Sequence, residues 1–166
     1  MKGKYLILGS NVGDRETNIR EAILKIESKV GKVIRTSSMY QTEPWGYGGQ
    51  PHFYNQVIEI ETSLDASHTL KEILMIEKSM GRVRNQKWRE RIIDIDILYF
   101  EDLVVHDKDL TLPHPGIPDR KFVLEPLCEL IPDEIHPLLR ISNAELLKKT
   151  GDRLGVEIVD PLQDPV

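Results

Sequence analysis

Hydrophobic positions change their period several times along the chain, and each period predicts one element. Lys4 to Gly9 is a short apolar run ended by Ser10-Asn11, which is typical of a strand buried on both faces. From Asp14, which can cap a helix, apolar residues recur at helical spacing as far as Gly31. The chain is therefore expected to begin with a strand and a helix.

Two stretches rich in β-branched and aromatic residues follow, and they predict strands at Lys32 to Tyr40 and at Phe53 to Thr62. The connection between them contains three glycines and two prolines and is longer than a hairpin needs. Such a loop is usually either functional or flexible. An apolar stripe then predicts a second helix from Asp65 or Ala66 to Met80.

A fourth strand is predicted at Ile93 to Phe100, and its pattern changes along its length. Because side chains alternate along a strand, Asp94 and Asp96 are expected on the same face as Leu98 and Phe100. That face would be polar at one end and apolar at the other. The other predicted elements are a hairpin partner at Leu103 to His106, a proline-stiffened loop at 112–118, helices at Phe122 to Leu130 and Ala144 to Thr150, and a short strand at Val156 to Val159.

This order of elements predicts an α+β fold of the ferredoxin-like βαββαβ plan. We expect an antiparallel sheet with both helices packed on one face and extra elements at the C-terminal end. A length of 166 residues without an internal repeat or linker favours a single domain over residues 1–166.

Composition narrows the classes of protein. No apolar run approaches the roughly 20 residues that span a bilayer, and the start of the sequence lacks the longer apolar region of a secretory signal. A net charge of −5 argues against a protein that coats nucleic acid, and the single cysteine, Cys128, fits a reducing compartment. We therefore expect a cytoplasmic protein without membrane or nucleic-acid partners.

The candidate chemistry is concentrated between Gly81 and Asp96, where a run of cations leads into two alternating aspartates. On a strand, the Cα atoms of Asp94 and Asp96 would be about 6.5 to 7 Å apart with both carboxylates on one face. Two such charges at about 4 Å repel by about 4 kcal/mol at an effective dielectric of about 20, so the pair favours a divalent cation. Magnesium is preferred because it commonly combines one or two carboxylates with substrate phosphates. A solvated strand face is the alternative.

Neighbouring residues have two interpretations each. The five cations between 82 and 91 would alone suggest a solvated loop, but beside the aspartates they predict phosphate binding, for which arginine supplies planar bidentate donors. Glu77, on the apolar stripe of the second helix, either marks the rim of the core or accepts a hydrogen bond from a ligand. His114, between two prolines, either contacts phosphate or stabilises a turn.

Several motifs occur together in an order that resembles one enzyme family. They are Gly9-Ser10-Asn11, Tyr40 to Gly46, Phe53-Tyr54-Asn55, Glu77, Gly81 to Arg84, Trp88 with Arg91, Ile93 to Leu98 and Leu112-Pro113-His114. Over about residues 4 to 130, the chain resembles 6-hydroxymethyl-7,8-dihydropterin pyrophosphokinase of folate biosynthesis. The resemblance implies transfer of pyrophosphate from ATP to the hydroxymethyl group of 6-hydroxymethyl-7,8-dihydropterin, with release of AMP.

The resemblance also implies roles for individual residues. Asp94 and Asp96 would hold two Mg²⁺ ions, and Arg82 and Arg91 would engage the transferring phosphates, so these four are the expected catalytic residues. The expected ATP contacts are Glu77, Arg84, Lys87, Trp88, Ile97, Thr111, His114 and Arg120. The expected pterin contacts are Thr42, Trp45, Gly46, Phe53, Asn55, Asp94 and Phe122. In the last set, the two phenylalanines would stack on the faces of the pterin.

Four positions depart from the family pattern. Lys87 stands where an arginine can occur, Pro115 where a tyrosine can, and Leu74 and Asp109 where polar or basic ATP contacts can. The alternatives are another Mg-dependent nucleotidyl- or phosphoryl-transfer enzyme, an RNA-binding module on the same type of sheet, and a non-catalytic nucleotide sensor. We expect a monomer whose partners are ATP and the pterin.

Overall fold

The computed structural model describes residues 2–44, 49–82 and 91–159. The strands are β1 (Lys4–Ser10), β2 (Lys32–Thr36), β3 (Tyr40–Thr42), β4 (Phe53–Glu61), β5 (Asp94–Phe100), β6 (Val105–His106), β7 (Thr111–Leu112) and β8 (Val156–Ile158). The helices are α1 (Arg15–Lys29), α2 (Ala66–Ser79), α3 (Lys121–Leu130) and α4 (Asn143–Lys149), with a short 3₁₀ turn at Ile117–Asp119.

The main sheet is antiparallel and has the order β5-β1-β4-β3-β8, with β2 also pairing with β4. Since β2 and β3 lie on the same side of β4 and together take the place of one strand, the elements from β1 to β5 have the ferredoxin-like arrangement, and the predicted fold class is confirmed. The single strand predicted at Lys32 to Tyr40 is wrong. It is interrupted at Ser37, whose hydroxyl oxygen accepts the Val57 N–H at 3.0 Å in place of a backbone carbonyl.

Helices α1 and α2 pack on one face of the sheet, as predicted. Their starts are fixed by aspartates, because the Asp14 carboxylate accepts the Thr17 N–H at 3.1 Å and Asp65 accepts the His68 N–H at 2.8 Å. The fully buried residues of this core include Leu6, Leu8, Ile19, Ile26, Ile58, Ile73 and Ile95. Burying a side chain of this size contributes about 1.5–3 kcal/mol.

Helices α3 and α4 cover the opposite face, a position that the hydrophobic pattern did not predict. Leu124 and Leu127 of α3 and Leu146 of α4 pack with Ile7 and Leu98 of the sheet. The sheet is thus buried on both faces, which explains why β1 is apolar at consecutive positions and confirms the expectation for that strand.

Two expectations around β5 are corrected by the structure. The pairing of β5 with β1 shifts between Tyr5 and Leu6, so Leu98 lies on the face of Asp94 and Asp96 while Phe100 packs in the opposite core. The stretch predicted to form a hairpin with β5 instead supplies β6, which pairs with β7. The helices predicted from Phe122 and Ala144 each begin one residue earlier and otherwise match, although the second ends at Lys149.

No helix in the described ranges, with their gaps at 45–48 and 83–90, is long and apolar enough to cross a membrane.

Candidate active site

Three neighbouring strands bring polar residues together at one end of the sheet. Gly9 of β1 lies between Asn55 of β4 and Asp94 of β5 in the strand register. A Cβ atom at Gly9 would lie 2.6 Å from Asn55 Oδ1 and 3.4 Å from Phe53 Cδ1. The missing side chain therefore lets the Asn55 amide oxygen lie directly over the Gly9 backbone. The sheet surface at Gly9, with Asn55 on one side and Asp94 on the other, is called the floor above Gly9.

The side chains of Asn55 and Thr42 form one wall of this floor. Asn55 is 4% exposed and its Nδ2 donates to Thr42 Oγ1 at 2.7 Å. This bond orients the amide so that its acceptor oxygen faces the space above Gly9. Phe53 is half-buried beside it, and Phe122 is half-buried on the first turn of α3. Such a set of groups could bind a flat molecule, with aromatic rings against its faces and hydrogen-bonding groups at its polar edge.

Arg82 links two carboxylates at the start of β5. Its Nη1 donates to Glu77 Oε2 and, at 2.7 Å, to Asp94 Oδ1, while Arg91 Nη1 donates to Asp94 Oδ2 at 2.8 Å. Both oxygens of Asp94 thus contact a guanidinium group. Burial opposes the charged form of Arg82, but the charges of Asp94 and Glu77 outweigh it and raise the pKa of Arg82.

Glu77 is a buried anchor within this cluster. The residue is 1% exposed, and its Oε2 also accepts the Ile95 N–H at 3.0 Å. A buried carboxylate is tolerated only when it is paired and hydrogen-bonded, which Arg82 and the Ile95 amide provide. Its predicted contact with ATP stays a prediction.

Asp96 is the more open aspartate, since its side chain is 44% exposed compared with 22% for Asp94. Partial desolvation by the surrounding protein, followed by the charges of Asp94 and Glu77, raises the pKa of Asp96 well above its usual range. A carboxylate in this surplus of negative charge is an acceptor for a cation.

His114 faces Asp96, with Nε2 3.9 Å from Asp96 Oδ2. Its Nδ1 accepts the Gly116 N–H at 2.9 Å, so the proton of the neutral ring is on Nε2 and points into the site. Burial, followed by the charge of Arg120, lowers the pKa of His114 to about 4. His114 is therefore a neutral donor at physiological pH.

A cleft of about 650 Å³ opens beside Asp96, between α2 and the β6–β7 hairpin. This volume is typical of a pocket for a small molecule, for which about 300–1,000 Å³ is usual. Three residues predicted to contact ATP line it, namely Ile97, Thr111 and His114. Three of the positions that depart from the family pattern also line it, namely Leu74, Asp109 and Pro115.

Arg120, another predicted ATP contact, lies on the chain between His114 and α3. A Cβ atom at Gly116 would lie 2.8 Å from both Nε and Cζ of Arg120, so the guanidinium group packs directly on the backbone at that glycine. The effect of Arg120 on the pKa of His114 agrees with this proximity.

Asn11 and Gly9 are site residues to which the sequence interpretation assigned no individual role, because it used their motif only as the end of a strand and as a mark of the family. Asn11 is 3% exposed, and its Oδ1 accepts the Arg91 N–H at 2.7 Å while its own N–H donates to Arg91 O at 3.1 Å. Its Nδ2 donates to Gln50 Oε1 at 3.2 Å. A buried asparagine directly after a strand ending in Gly-Ser was the available signal.

Five predicted contacts lie outside the described residues: Trp45, Gly46, Arg84, Lys87 and Trp88. Within the described part of the chain, no three histidine, cysteine, aspartate or glutamate side chains form a metal-binding group. Asp94 and Asp96 together provide two carboxylates. This set fits Mg²⁺, which takes oxygen ligands and completes its shell with water and phosphate oxygens.

Comparison with protein families identifies the chain. The model of the family described as 7,8-dihydro-6-hydroxymethylpterin-pyrophosphokinase (HPPK) matches residues 5–132. The 2-amino-4-hydroxy-6-hydroxymethyldihydropteridine pyrophosphokinase of Aquifex aeolicus is 43% identical over 136 residues, which are 82% of this chain and 84% of that protein. The protein of the same name from Bacillus subtilis is 41% identical over 127 residues, 76% of each chain.

Longer proteins contain a similar segment. The folic acid synthesis protein fol1 of Pneumocystis carinii is 38% identical over 148 residues, and the chain spans only 20% of its length. A crystal structure of Plasmodium falciparum HPPK-DHPS matches with a TM-score of 0.72 at 20% identity, over 89% of this chain and 45% of that one, and it supports the fold.

The fold, the site and these matches define the class of protein as an ATP-dependent diphosphotransferase. Within that class, the chain belongs to the HPPK family of pyrophosphokinases.

Proposed function

We propose that the chain transfers the terminal diphosphate of ATP to the hydroxymethyl group of 6-hydroxymethyl-7,8-dihydropterin, producing AMP and the pterin diphosphate. The observation that carries the proposal is that the floor above Gly9 and the cleft beside Asp96 are adjacent at one end of the sheet. The floor above Gly9 has an amide wall, and the 650 Å³ cleft begins at Asp96, on the same strand as Asp94.

The pterin would bind above Gly9. Asn55 Oδ1 would accept from the N–H groups of the pterin edge, and the Thr42 hydroxyl, which already accepts from Asn55, has its proton available to donate. Phe53 and Phe122 would contact the ring faces, where stacking contributes about 0.5–1.5 kcal/mol beyond area burial. Asp94 would then lie near the hydroxymethyl group, because Gly9 pairs with both Asn55 and Asp94.

ATP would occupy the cleft with its phosphates at the Asp96 end. Arg82 and Arg91 each donate one hydrogen bond to Asp94, and phosphate oxygens are also good acceptors for guanidinium groups, so both arginines can exchange to the transferring phosphates. The neutral His114 would donate through Nε2–H. These groups stabilise charge and fix alignment, which are the main contributions of a protein to phosphoryl transfer.

Asp94 and Asp96 are the residues that would hold Mg²⁺. When bound, magnesium supplies charge neutralisation on the phosphates and lowers the pKa of the attacking hydroxyl. We further propose that the protein acts as a cytoplasmic monomer.

The test is incubation of the protein with ATP, the pterin and magnesium chloride, followed by chromatography of nucleotides and pterins. The proposal expects AMP and pterin diphosphate in equal amounts and no AMP without the pterin. Formation of ADP, or of pyrophosphate with an adenylated pterin, would instead support a different phosphoryl- or nucleotidyl-transfer enzyme.

The variant Asp96→Ala tests the metal assignment. Removal of a proposed metal ligand should eliminate AMP formation. Because the Asp96 side chain is 44% exposed and outside both cores, the thermal unfolding midpoint should not change. Turnover close to that of the unmodified protein would contradict the role of Asp96. The exposed Asp102→Ala variant, just beyond the opposite end of β5, is the matched control.

A further inference from the structure

The segment from Thr150 to Ile158 lies beyond the family match, which ends at residue 132, yet it contacts two elements of the proposed pterin pocket. One element is the start of α3, next to Phe122. The other is β3, which carries Thr42.

The first contact is a carboxylate at the start of α3. Asp152 Oδ2 accepts the Lys121 N–H at 2.9 Å, across 31 positions of sequence. That N–H is one of the donors that the first turn of a helix leaves without an intrahelical partner, and the N-cap residue, Arg120, does not cap α3 with its own side chain. The bond therefore fixes the peptide between Arg120 and Lys121, one residue before Phe122.

Asp152 is itself held in place. Its second oxygen, Oδ1, accepts the Leu154 N–H at 2.9 Å, and its own N–H donates to Thr150 Oγ1 at 3.3 Å. Both carboxylate oxygens are thus occupied by backbone donors. The negative charge at a helix N-terminus is also favourable, since that end of a helix carries partial positive charge.

The second contact is a strand pairing. In β8, Val156 pairs with Thr42, and just before it Gly155 O accepts the Glu43 N–H at 3.1 Å. A Cβ atom at Gly155 would lie 3.0 Å from Glu43 Oε1, so the Glu43 side chain lies directly over the Gly155 backbone. The segment therefore connects the backbone of Thr42 to the start of α3.

The opposite end of α3 is tied to the same region. Glu129 Oε2 accepts the Tyr40 hydroxyl at 2.6 Å, and its Oε1 accepts the Ser38 N–H at 2.9 Å. Helix α3 also packs against both β3 and β8. With Glu129 at one end and Asp152 at the other, α3 is fixed relative to β3 at two points.

We propose that Asp152 is a positioning residue for the pterin: it acts through the backbone of α3 to set the distance between Phe122 and Thr42. The inference rests on the proposed function, in which these two residues contact the pterin. Asp152 lines neither the cleft at Asp96 nor the floor above Gly9. Because the bond also fixes the peptide of Arg120, an expected ATP contact, its loss should raise the KM for the pterin more than the KM for ATP.

Three variants test this proposal in the full-length chain. Asp152→Ala removes both acceptors, Asp152→Asn keeps one, and Ser142→Ala removes the cap of α4, where Ser142 Oγ accepts the Glu145 N–H at 3.2 Å. Ser142→Ala is the matched control, because it also removes a helix cap on the α3–α4 face of the sheet. The KM values for the pterin and for ATP, and kcat, are measured for each.

We expect Asp152→Ala to raise the KM for the pterin by about fivefold to tenfold, because the binding energy lost should be similar to that of one helix cap. The KM for ATP and kcat should stay within about twofold of the unmodified protein. Asp152→Asn should fall between Asp152→Ala and the unmodified protein, and Ser142→Ala should not change the pterin KM.

An unchanged pterin KM in Asp152→Ala would overturn the proposal, and so would an equal rise in the ATP KM or the same rise in Ser142→Ala. If Asp152→Ala does not fold, Asp152→Asn decides the question on the same criteria. Failure of the proposed function is distinguishable, because the unmodified protein would then form no pterin diphosphate.

Discussion

Substitution of Glu77 by alanine should destabilise the fold and disorder the start of β5. Glu77 is 1% exposed, pairs with Arg82 and accepts the Ile95 N–H. Removing one partner of a buried ion pair costs about 3–5 kcal/mol. Because Arg82 keeps its bond to Asp94, we expect the lower end, about 3 kcal/mol.

Part of this cost comes from a backbone donor. In Glu77→Ala the buried Ile95 N–H loses its partner, which alone costs about 1–3 kcal/mol. Glu77→Gln retains a carbonyl oxygen for that N–H and removes only the charge. Its loss of stability should therefore be about half that of Glu77→Ala, about 1–2 kcal/mol.

Urea unfolding monitored by circular dichroism measures both variants. With an m-value of about 2 kcal/mol/M, a loss of about 3 kcal/mol lowers the midpoint by about 1.5 M. Glu72→Ala, on the same helix but only half-buried, should change the free energy of unfolding by less than about 0.5 kcal/mol. Equal midpoints for Glu77→Ala and Glu72→Ala would refute the assignment of Glu77 as a buried anchor.

Three further predictions concern single residues. Arg91→Ala should lower kcat by about 10²- to 10³-fold, as loss of a charge-stabilising donor commonly does. A decrease in kcat below about threefold in a steady-state AMP assay would contradict a catalytic role for Arg91. Gly9→Ala places a Cβ 2.6 Å from Asn55 Oδ1 and should raise the pterin KM at least about tenfold without affecting the ATP KM; equal effects on both substrates would contradict the floor above Gly9. Burial lowers the pKa of His136, so the unfolded chain binds a proton more readily, and the free energy of unfolding should fall as the pH drops below about 6.5. Urea unfolding at pH 5 and pH 8 should show a smaller loss of stability at the lower pH for His136→Asn than for the unmodified protein. The same loss in both proteins would exclude His136 as its source.

Local patterns were sufficient for most elements of the fold. The caps at Asp14 and Asp65 and the helical spacing after them predicted α1 and α2, because these signals depend only on neighbouring residues. The side of the sheet that α3 and α4 cover depends on long-range packing, and no local pattern encodes it. The wrong face for Phe100 has a similar cause, since a register shift against β1 is a property of two strands together.

The candidate site was likewise predictable from the sequence only in part. Asp94 and Asp96 were recognisable because two aspartates alternate on an otherwise apolar strand. The environment of Glu77 was not, since the sequence shows only an acidic residue on an apolar stripe and gives no sign that Arg82 and the Ile95 amide meet it there. Asp152 was also invisible, because its partner is 31 positions away.

The two aspartates differ in a way that bears on the order of events at the site. Asp94 has a guanidinium group on each oxygen, whereas Asp96 opens into the cleft and has a raised pKa. In the proposed reaction, Asp96 would therefore be the first carboxylate available to a cation that arrives with ATP. Phosphates bound in the cleft would then draw Arg82 and Arg91 away from Asp94, which would free that second carboxylate beside the floor above Gly9. This sequence would make ATP binding a precondition for the arrangement in which Asp94 faces the pterin hydroxyl.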